Sequence, residues 1–126
     1  MTMSTEAGNR LGQAGERLAA EHLARLGYEI VERNYRTRWG ELDIVARTSG
    51  ALVFCEVKTR RDAGRAGGPL DAVGPAKQGR VRRMAASWLA EHRDRPYAAS
   101  IRFDVIGVRV DAGGRLLSLD HLEGAF

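Results

Sequence analysis

The fold follows from the segment Arg38–Arg60, which reads RWGELDIVARTSGALVFCEVKTR. Its two halves, Glu41–Ala46 and Leu52–Lys58, are short and rich in Val, Ile and Phe, a composition typical of β-strands. Between them, Ser49 and Gly50 suit the central positions of a two-residue hairpin turn. The segment therefore predicts a β-hairpin whose register is determined by that turn.

The register of this hairpin determines which side chains meet. It brings Asp43 opposite Glu56 and Glu41 opposite Lys58. Because side chains alternate across a strand, these four charged groups share one face. The other face carries the apolar residues Leu42, Ile44, Val53, Cys55 and Val57. Facing carboxylates with Cβ atoms about 5 Å apart repel each other. A positive group is therefore expected between them, either Lys58 or a hard divalent cation that prefers carboxylate oxygen.

The four charges also fit a second interpretation, in which they form the solvated face of an amphipathic hairpin. Leu52 and Phe54 share that face, which is unusual for a solvated surface. Structural ion-pair networks nevertheless imitate functional sites. The pattern alone therefore leaves both interpretations open.

These residues resemble the signature of the YraN family of small bacterial proteins, in which Gly40–Ala46 is followed by Val53–Arg60. The resemblance covers nearly the whole chain. It also includes Gly15-Glu16, Arg33-Asn34-Tyr35-Arg36, Lys77, Arg102–Val105 and Ala125-Phe126. The YraN family is similar to archaeal Holliday-junction resolvases within the PD-(D/E)xK nuclease superfamily. The resemblance implies an α/β fold with a restriction-endonuclease-like core.

The resemblance also implies a metal-dependent endonuclease that hydrolyses phosphodiester bonds of DNA, with branched or junction DNA as one candidate substrate. Asp43, Glu56 and Glu16 would hold Mg²⁺, with Mn²⁺ as a substitute. Lys58 would orient the attacking water or stabilise developing negative charge. Glu41 would either assist as an outer-shell acid or only hold Lys58 in place. Four basic residues are expected to contact the substrate: Arg38, Arg60, Lys77 and Arg80. Because junction resolvases act as dimers, a homodimer is also implied.

Outside the hairpin, the sequence predicts five further elements and a single nuclease-like domain over residues 1–126. They are a helix to about Leu26 with Gly27 as its C-terminal cap, a strand at Tyr28–Tyr35, a helix from Pro75 to about His92, and strands at Ile101–Val110 and Leu116–Leu122. This order suits a mixed five-stranded sheet with two main helices packed on it. Residues 1–8 are expected to be disordered, and the glycine-rich residues 61–74 to form a mobile loop.

The first helix carries two acids with different surroundings. Glu21 has Arg17 and Arg25 four residues away on either side, as in a surface ion-pair ladder. Glu16 has small and apolar neighbours and no cationic partner on its helix, so a functional role and a boundary position both remain open. The predicted inward stripe of this helix is Leu11, Gly15, Leu18, His22 and Leu26. That of the second helix is Val81, Met84, Ala85, Trp88 and Leu89.

Basic and aromatic residues alternate just before the hairpin, at Arg33, Tyr35, Arg36, Arg38 and Trp39. This pattern is typical of a nucleic-acid groove, where rings stack on bases and arginines meet phosphates. It equally fits one wet strand face followed by a buried Trp.

Composition narrows the class of partner and the compartment. Lys and Arg number 20 against 16 Asp and Glu, a net charge of +4, which favours a polyanionic partner such as a nucleic acid. One cysteine, Cys55, allows no internal disulfide and fits a reducing, cytoplasmic setting. The histidines His22, His92 and His121 show no zinc-ligand spacing. No apolar run is long enough to span a membrane, so no membrane association is expected.

Three functional classes remain compatible with the sequence. The first is the metal-dependent nuclease. The second is a non-catalytic nucleic-acid-binding module on a nuclease-like scaffold, because a fold alone does not determine function. The third is an interaction protein whose acidic hairpin face docks a basic partner.

Overall fold

The computed structural model describes residues 5–61 and 73–126. Two helices and five strands follow one another in the predicted order. They are α1 Thr5–Arg25, β1 Glu29–Thr37, β2 Gly40–Thr48, β3 Ala51–Arg61, α2 Pro75–Glu91, β4 Ser100–Val110 and β5 Leu116–Leu122. Within the described ranges, neither helix is long and apolar enough to cross a membrane.

The five strands form one mixed sheet in the order β1-β2-β3-β4-β5. Neighbouring strands are antiparallel except β3 and β4, which are parallel. A parallel pair needs a crossover connection, and α2 lies in that connection. The prediction of a mixed five-stranded sheet with two main helices is confirmed.

The central hairpin has the predicted turn and register. Ser49 and Gly50 have φ angles of 41° and 81°, the left-handed values that a type I′ turn requires. The pairs between β2 and β3 are Thr48 with Ala51, Arg47 with Leu52, Ala46 with Val53, Val45 with Phe54 and Ile44 with Cys55. The register prediction is confirmed over this length.

The two hairpin strands separate beyond these pairs. The predicted pairs of Asp43 with Glu56 and of Glu41 with Lys58 are not part of the ladder, which ends at Ile44 and Cys55 in the described structure. Instead, the Val57 N–H donates a hydrogen bond of 2.7 Å to Oδ2 of Asp43. A side-chain carboxylate thus takes the role of a main-chain acceptor, and this holds Asp43 between the strands.

Helices α1 and α2 cover opposite faces of the sheet. On the α1 side the buried residues are Ala19, Leu23, Tyr28, Ile44, Ala46, Val53, Cys55, Ile106, Val108 and Val110. On the α2 side they are Tyr35, Leu42, Val45, Leu52, Phe54, Val81, Met84, Ala85 and Trp88. Both faces of the hairpin are therefore buried over most of its length.

The alternation of side chains is interrupted at the acidic end of β2. Leu42 and Ile44 are two residues apart and should share a face, yet Leu42 packs on the α2 side and Ile44 on the α1 side. The prediction that both belong to one apolar face was therefore wrong. On the adjacent strand β1, Asn34 has a φ of 57°. The irregularity thus spans two strands and changes the direction in which Asp43 projects.

The helix predictions hold with two changes. The inward stripe of α2 is confirmed, with Leu89 partly buried. Helix α1 ends at Arg25, with Gly27 at φ 92° beyond it, so Leu26 falls outside the helix and is 56% exposed rather than buried. Helix α1 also begins at Thr5, inside the segment expected to be disordered. Residues 62–72 of the predicted mobile loop lie outside the described residues.

Candidate functional site

Four carboxylates meet where β2 and β3 separate, beside α1. One oxygen from each of Glu16, Glu41 and Asp43 lies within 4.8 Å of the others. Asp43 is also close enough to Glu56 that each carboxyl affects the pKa of the other, although burial affects both pKa values more strongly. Glu16 and Glu56 are only 8% and 7% exposed. We call these four residues the acid cluster.

A close helix-strand contact brings Glu16 into this cluster. Helix α1 approaches β3 so closely at Gly15 that a Cβ there would overlap the Thr59 side chain. Only glycine permits this approach without displacing one of the two elements. The next residue, Glu16, is thereby placed against Asp43.

The surroundings of Asp43 favour its neutral form. Burial is the main reason that the pKa of Asp43 is raised to about 7; the Val57 hydrogen bond opposes this shift, and the nearby Glu16 carboxylate adds to it. Burial likewise raises the pKa of Glu16 above its ordinary value. The two carboxylates cannot both ionise at low cost without a nearby positive charge.

Glu56 has one satisfied and one unsatisfied oxygen. Its Oε1 lies 2.8 Å from Nζ of Lys77 on α2. Its Oε2 is buried and has no hydrogen-bond donor among the residues the structure describes. Burial, followed by the charge of Asp43, raises the pKa of Glu56 to about 7, and Lys77 opposes this shift. A buried oxygen without a donor is costly unless a further ligand completes the site.

Asn34 connects two of the acids. With its amide nitrogen oriented toward the carboxylates, Asn34 lies 2.6 and 3.1 Å from the oxygens of Glu16 and 2.9 Å from Glu41. Arg36 forms an ion pair of 3.2 Å with Glu41. No role was predicted for Asn34 from the sequence. The only local signal was an Asn, a residue that tolerates left-handed backbone, inside a predicted strand.

The donor set of the acid cluster fits a hard divalent cation. All four groups offer carboxylate oxygens, which Mg²⁺ and Mn²⁺ prefer. The raised pKa values of Asp43 and Glu56, which have burial as their main cause, and the unsatisfied Glu56 oxygen indicate that positive charge is missing from the site. The residues present are therefore chemically suited to hold such an ion.

The predicted lysine occupies a different environment from the one expected. Lys58 lies two residues from Glu56 on the same face of β3, but it is exposed. Within the described ranges, it forms no ion pair with any carboxylate. The cation next to Glu56 is Lys77, and the cation next to Glu41 is Arg36.

The other predicted contact residues differ in exposure. Arg60 is half-buried and Arg80 is exposed. Arg38 is exposed, with its guanidinium 4.7 Å from the centre of the Trp39 ring, and Arg83 lies 5.2 Å from the same ring. Trp39 is 42% exposed, so it is not the buried Trp of the alternative interpretation.

A separate polar network is built around Asp104, which is fully buried. Its carboxylate accepts hydrogen bonds from the Arg102 guanidinium at 2.8 and 2.9 Å and from the Gly124 N–H at 3.0 Å. It also lies 2.8 Å from the His121 ring, which is 3.1 Å from His22. These partners are not members of the acid cluster. Asp104 thus joins β4 to β5 and to the segment that follows.

The fold and the site define a mixed α/β protein with buried carboxylates at the open end of its central hairpin. The sequence model of the uncharacterised protein family UPF0102 matches residues 15–108, and the chain belongs to this family. This confirms the resemblance to the YraN family.

Similar relatives span almost the same length as this chain. A UPF0102 protein of Parafrankia sp. is 52% identical and aligns with 93% of this chain and 96% of its own length. One of Mycolicibacterium smegmatis is 51% identical over 98% of each chain. One of Acidothermus cellulolyticus is 44% identical over the full length of both.

Proposed function

We propose that this protein is a metal-dependent nuclease that hydrolyses phosphodiester bonds of DNA. The observation that carries the proposal is the position of Asp43 between Glu16 and Glu56, with the pKa of Asp43 raised to about 7 chiefly by burial. Such a group of acids is costly to keep in a folded protein. The cost is explained if the acids bind a cation during function.

The acid cluster would hold Mg²⁺, or Mn²⁺ as a substitute, through Asp43, Glu16, Glu41 and Glu56. When bound, the ion would supply positive charge at the phosphate and lower the pKa of a coordinated water. The protein's own contribution is to hold the carboxylates in place. The Val57 N–H fixes Asp43, and the Asn34 amide fixes Glu16.

Lys77 and Lys58 have different electrostatic roles in this proposal. Lys77 is in contact with Glu56 and keeps that buried carboxylate closer to its ionised, ligating form. Lys58 lies on the Glu56 face of β3 and is exposed, so its ammonium is free to reach a phosphate oxygen or the attacking water. A positive group aimed at developing negative charge stabilises the transition state.

Groups suited to nucleic acid lie close in sequence to members of the cluster or on α2, which carries Lys77. Trp39 offers an exposed ring beside Arg38 and Arg83, and rings of this kind stack on unpaired bases. Arg60 and Arg80 add positive charge. An exposed ring near the site favours substrates with unpaired or splayed bases, which include branched DNA and junctions.

The test is a cleavage assay on labelled branched, duplex and single-stranded DNA of matched sequence. We expect products with Mn²⁺ or Mg²⁺, none with EDTA, and none with Asp43→Asn. Asp94→Asn, an exposed acid, is the matched control and should cleave like the wild type. No product from any substrate, or equal cleavage by Asp43→Asn, would contradict the proposal.

The second candidate is a nucleic-acid-binding module without turnover. The Lys77–Glu56 ion pair favours it, because Lys77 already balances part of the charge of the acid cluster without a metal. This function predicts that DNA binding is unchanged by Asp43→Asn and by EDTA, and that no substrate is cut.

A further inference from the structure

An open depression lies between α1 and β1, next to the acid cluster. Its volume is about 540 Å³, and its lining is Arg10, Gln13, Ala14, Arg17, Arg33 and Asn34. We call it the arginine depression. Of its three arginines, Arg33 belongs to the basic and aromatic run singled out from the sequence, whereas Arg10 and Arg17 were not expected to bind substrate. Arg10 and Arg17 are seven residues apart, two turns of α1, and therefore share one face of that helix.

Within the described part of the chain, none of the three arginines forms an ion pair, although the charge of Arg33 acts on Glu16. Among the residues the structure describes, no carboxylate lies within 4.0 Å of the guanidinium of Arg10, Arg17 or Arg33. The ion-pair ladder predicted around Glu21 is likewise not formed there, so Arg17 is available for another contact. All three side chains are exposed.

Three like charges around one concavity repel each other, and an anion in the concavity would remove that repulsion. The arginine guanidinium has a planar set of donors that matches phosphate oxygens in pairs. The amide of Gln13 adds a neutral donor. The depression is open, so it suits a group that remains attached to a larger molecule.

The depression and the acid cluster share one residue. Asn34 lines the depression and its amide nitrogen lies 2.6 Å from Glu16 and 2.9 Å from Glu41. Arg33 is near enough that its charge lowers the pKa of Glu16, although burial raises that pKa more strongly. A phosphate in the depression would therefore be a near neighbour of one held at the acid cluster.

We propose that the arginine depression binds a backbone phosphate of the DNA strand on one side of the bond to be cut. This rests on the proposed nuclease function for the position of that bond. It implies that the strand runs over α1 and β1, in addition to the basic start of α2. The phosphate is recognised by charge and geometry, so the contact adds affinity without reading sequence.

The experiment measures the affinity of untagged protein for a fluorescent DNA oligonucleotide by anisotropy, in EDTA and at several NaCl concentrations. Arg17→Gln and Arg33→Gln should each weaken binding by about tenfold, as for the loss of one charge-assisted contact. Each should also reduce the slope of log affinity against log salt by about 1. Arg25→Gln is the control, because Arg25 is exposed on the same helix outside the depression.

Equal affinities and salt slopes for Arg17→Gln, Arg33→Gln and Arg25→Gln would overturn this inference. Arg10→Gln provides a third test at the opposite rim, and melting temperatures verify that each variant is folded. Because binding is measured without metal, the result does not depend on cleavage. If the wild type cuts DNA and the arginine variants bind DNA normally, only the proposal that the arginine depression binds a phosphate is refuted. If the wild type binds DNA through these arginines but never cuts it, only the proposed nuclease function is refuted.

Discussion

The Lys77 ammonium on α2 lies 2.8 Å from Oε1 of Glu56 on β3. The carboxylate is 9% exposed and the lysine side chain 40% exposed, so the pair is shielded on one side only. The contact connects the start of α2 to the acid cluster. It also leaves the second Glu56 oxygen without a donor in the described part of the chain.

Removing this lysine should destabilise the protein. Lys77→Met leaves a buried carboxylate without its partner, and we expect a loss of about 2 kcal/mol in the free energy of unfolding at pH 8. Arg80→Met, at an exposed position on the same helix, should change it by less than about 0.5 kcal/mol. Urea unfolding measures both values.

A double variant distinguishes the ion pair from general effects on α2. Adding Glu56→Gln to Lys77→Met removes the unpaired charge, so most of the lost stability should return. If Lys77→Met costs no more than Arg80→Met, the contact contributes nothing to stability.

Stability without metal should depend on pH in the direction opposite to that of an ordinary salt-bridged acid. Burial is the main cause that raises the pKa of Asp43 and Glu56 to about 7, from 3.8 and 4.5. The folded state therefore holds these protons more tightly than the unfolded state does. The stability that comes from this tighter proton binding is fully present below about pH 4 and is lost as the pH rises to about 7.

Thermal melts in EDTA between about pH 5 and 7.5 check this dependence. The melting temperature of the wild type should fall over this range. That of the double variant with Asp43→Asn and Glu56→Gln should fall less. If the melting temperatures of the wild type and the double variant changed equally with pH, this would contradict the raised pKa values that burial gives these two carboxyls.

Two substitutions of Asp43 should stabilise the metal-free protein to different extents. Asn keeps an oxygen that accepts the Val57 N–H, but it removes the charge. We therefore expect Asp43→Asn to stabilise the metal-free protein at pH 8 by on the order of 2 kcal/mol. Asp43→Ala removes the acceptor as well, so it should be less stable than Asp43→Asn by about 1 kcal/mol. Denaturant unfolding in EDTA measures the difference, and equal stabilities would mean that the 2.7 Å hydrogen bond does not matter.

Two glycines on α1 form a matched pair. A Cβ at Gly15 would overlap Thr59, whereas a Cβ at Gly12 would have no atom within 4 Å. Gly15→Ala should cost about 1–3 kcal/mol and weaken Mn²⁺ binding, because α1 must move and carries Glu16 with it. Gly12→Ala should add about 0.5–1 kcal/mol of stability. Urea unfolding and Mn²⁺ titration test both, and a neutral Gly15→Ala would show that the close approach is not required.

The hairpin could be predicted because its determinants are local. Ser49 and Gly50 permit one tight turn, and that turn leaves one register in which Asp43 comes near Glu56. The order of elements followed from periodicity in the same way. These features depend on residues only a few positions apart.

The features that were not predicted from the sequence depend on contacts between segments that are distant along the chain. The Lys77–Glu56 pair forms across the connection from β3 to α2, and no spacing rule indicates which lysine turns inward. The left-handed Asn34 lies opposite the point where Leu42 and Ile44 turn to different faces, and an Asn inside a predicted strand does not by itself indicate that change. The absence of a Glu21 ladder in the described structure has the same origin, since Arg17 turns toward β1.

The central claim is that the acid cluster binds a divalent cation, and calorimetric titration of untagged protein with Mn²⁺ at pH 7.5 tests it most directly. The account predicts saturable binding to the wild type and to Asp94→Asn, with proton release from carboxyls whose pKa burial has raised. It predicts no saturable binding to Asp43→Asn. Absence of binding to the wild type, or equal binding to Asp43→Asn, would contradict it.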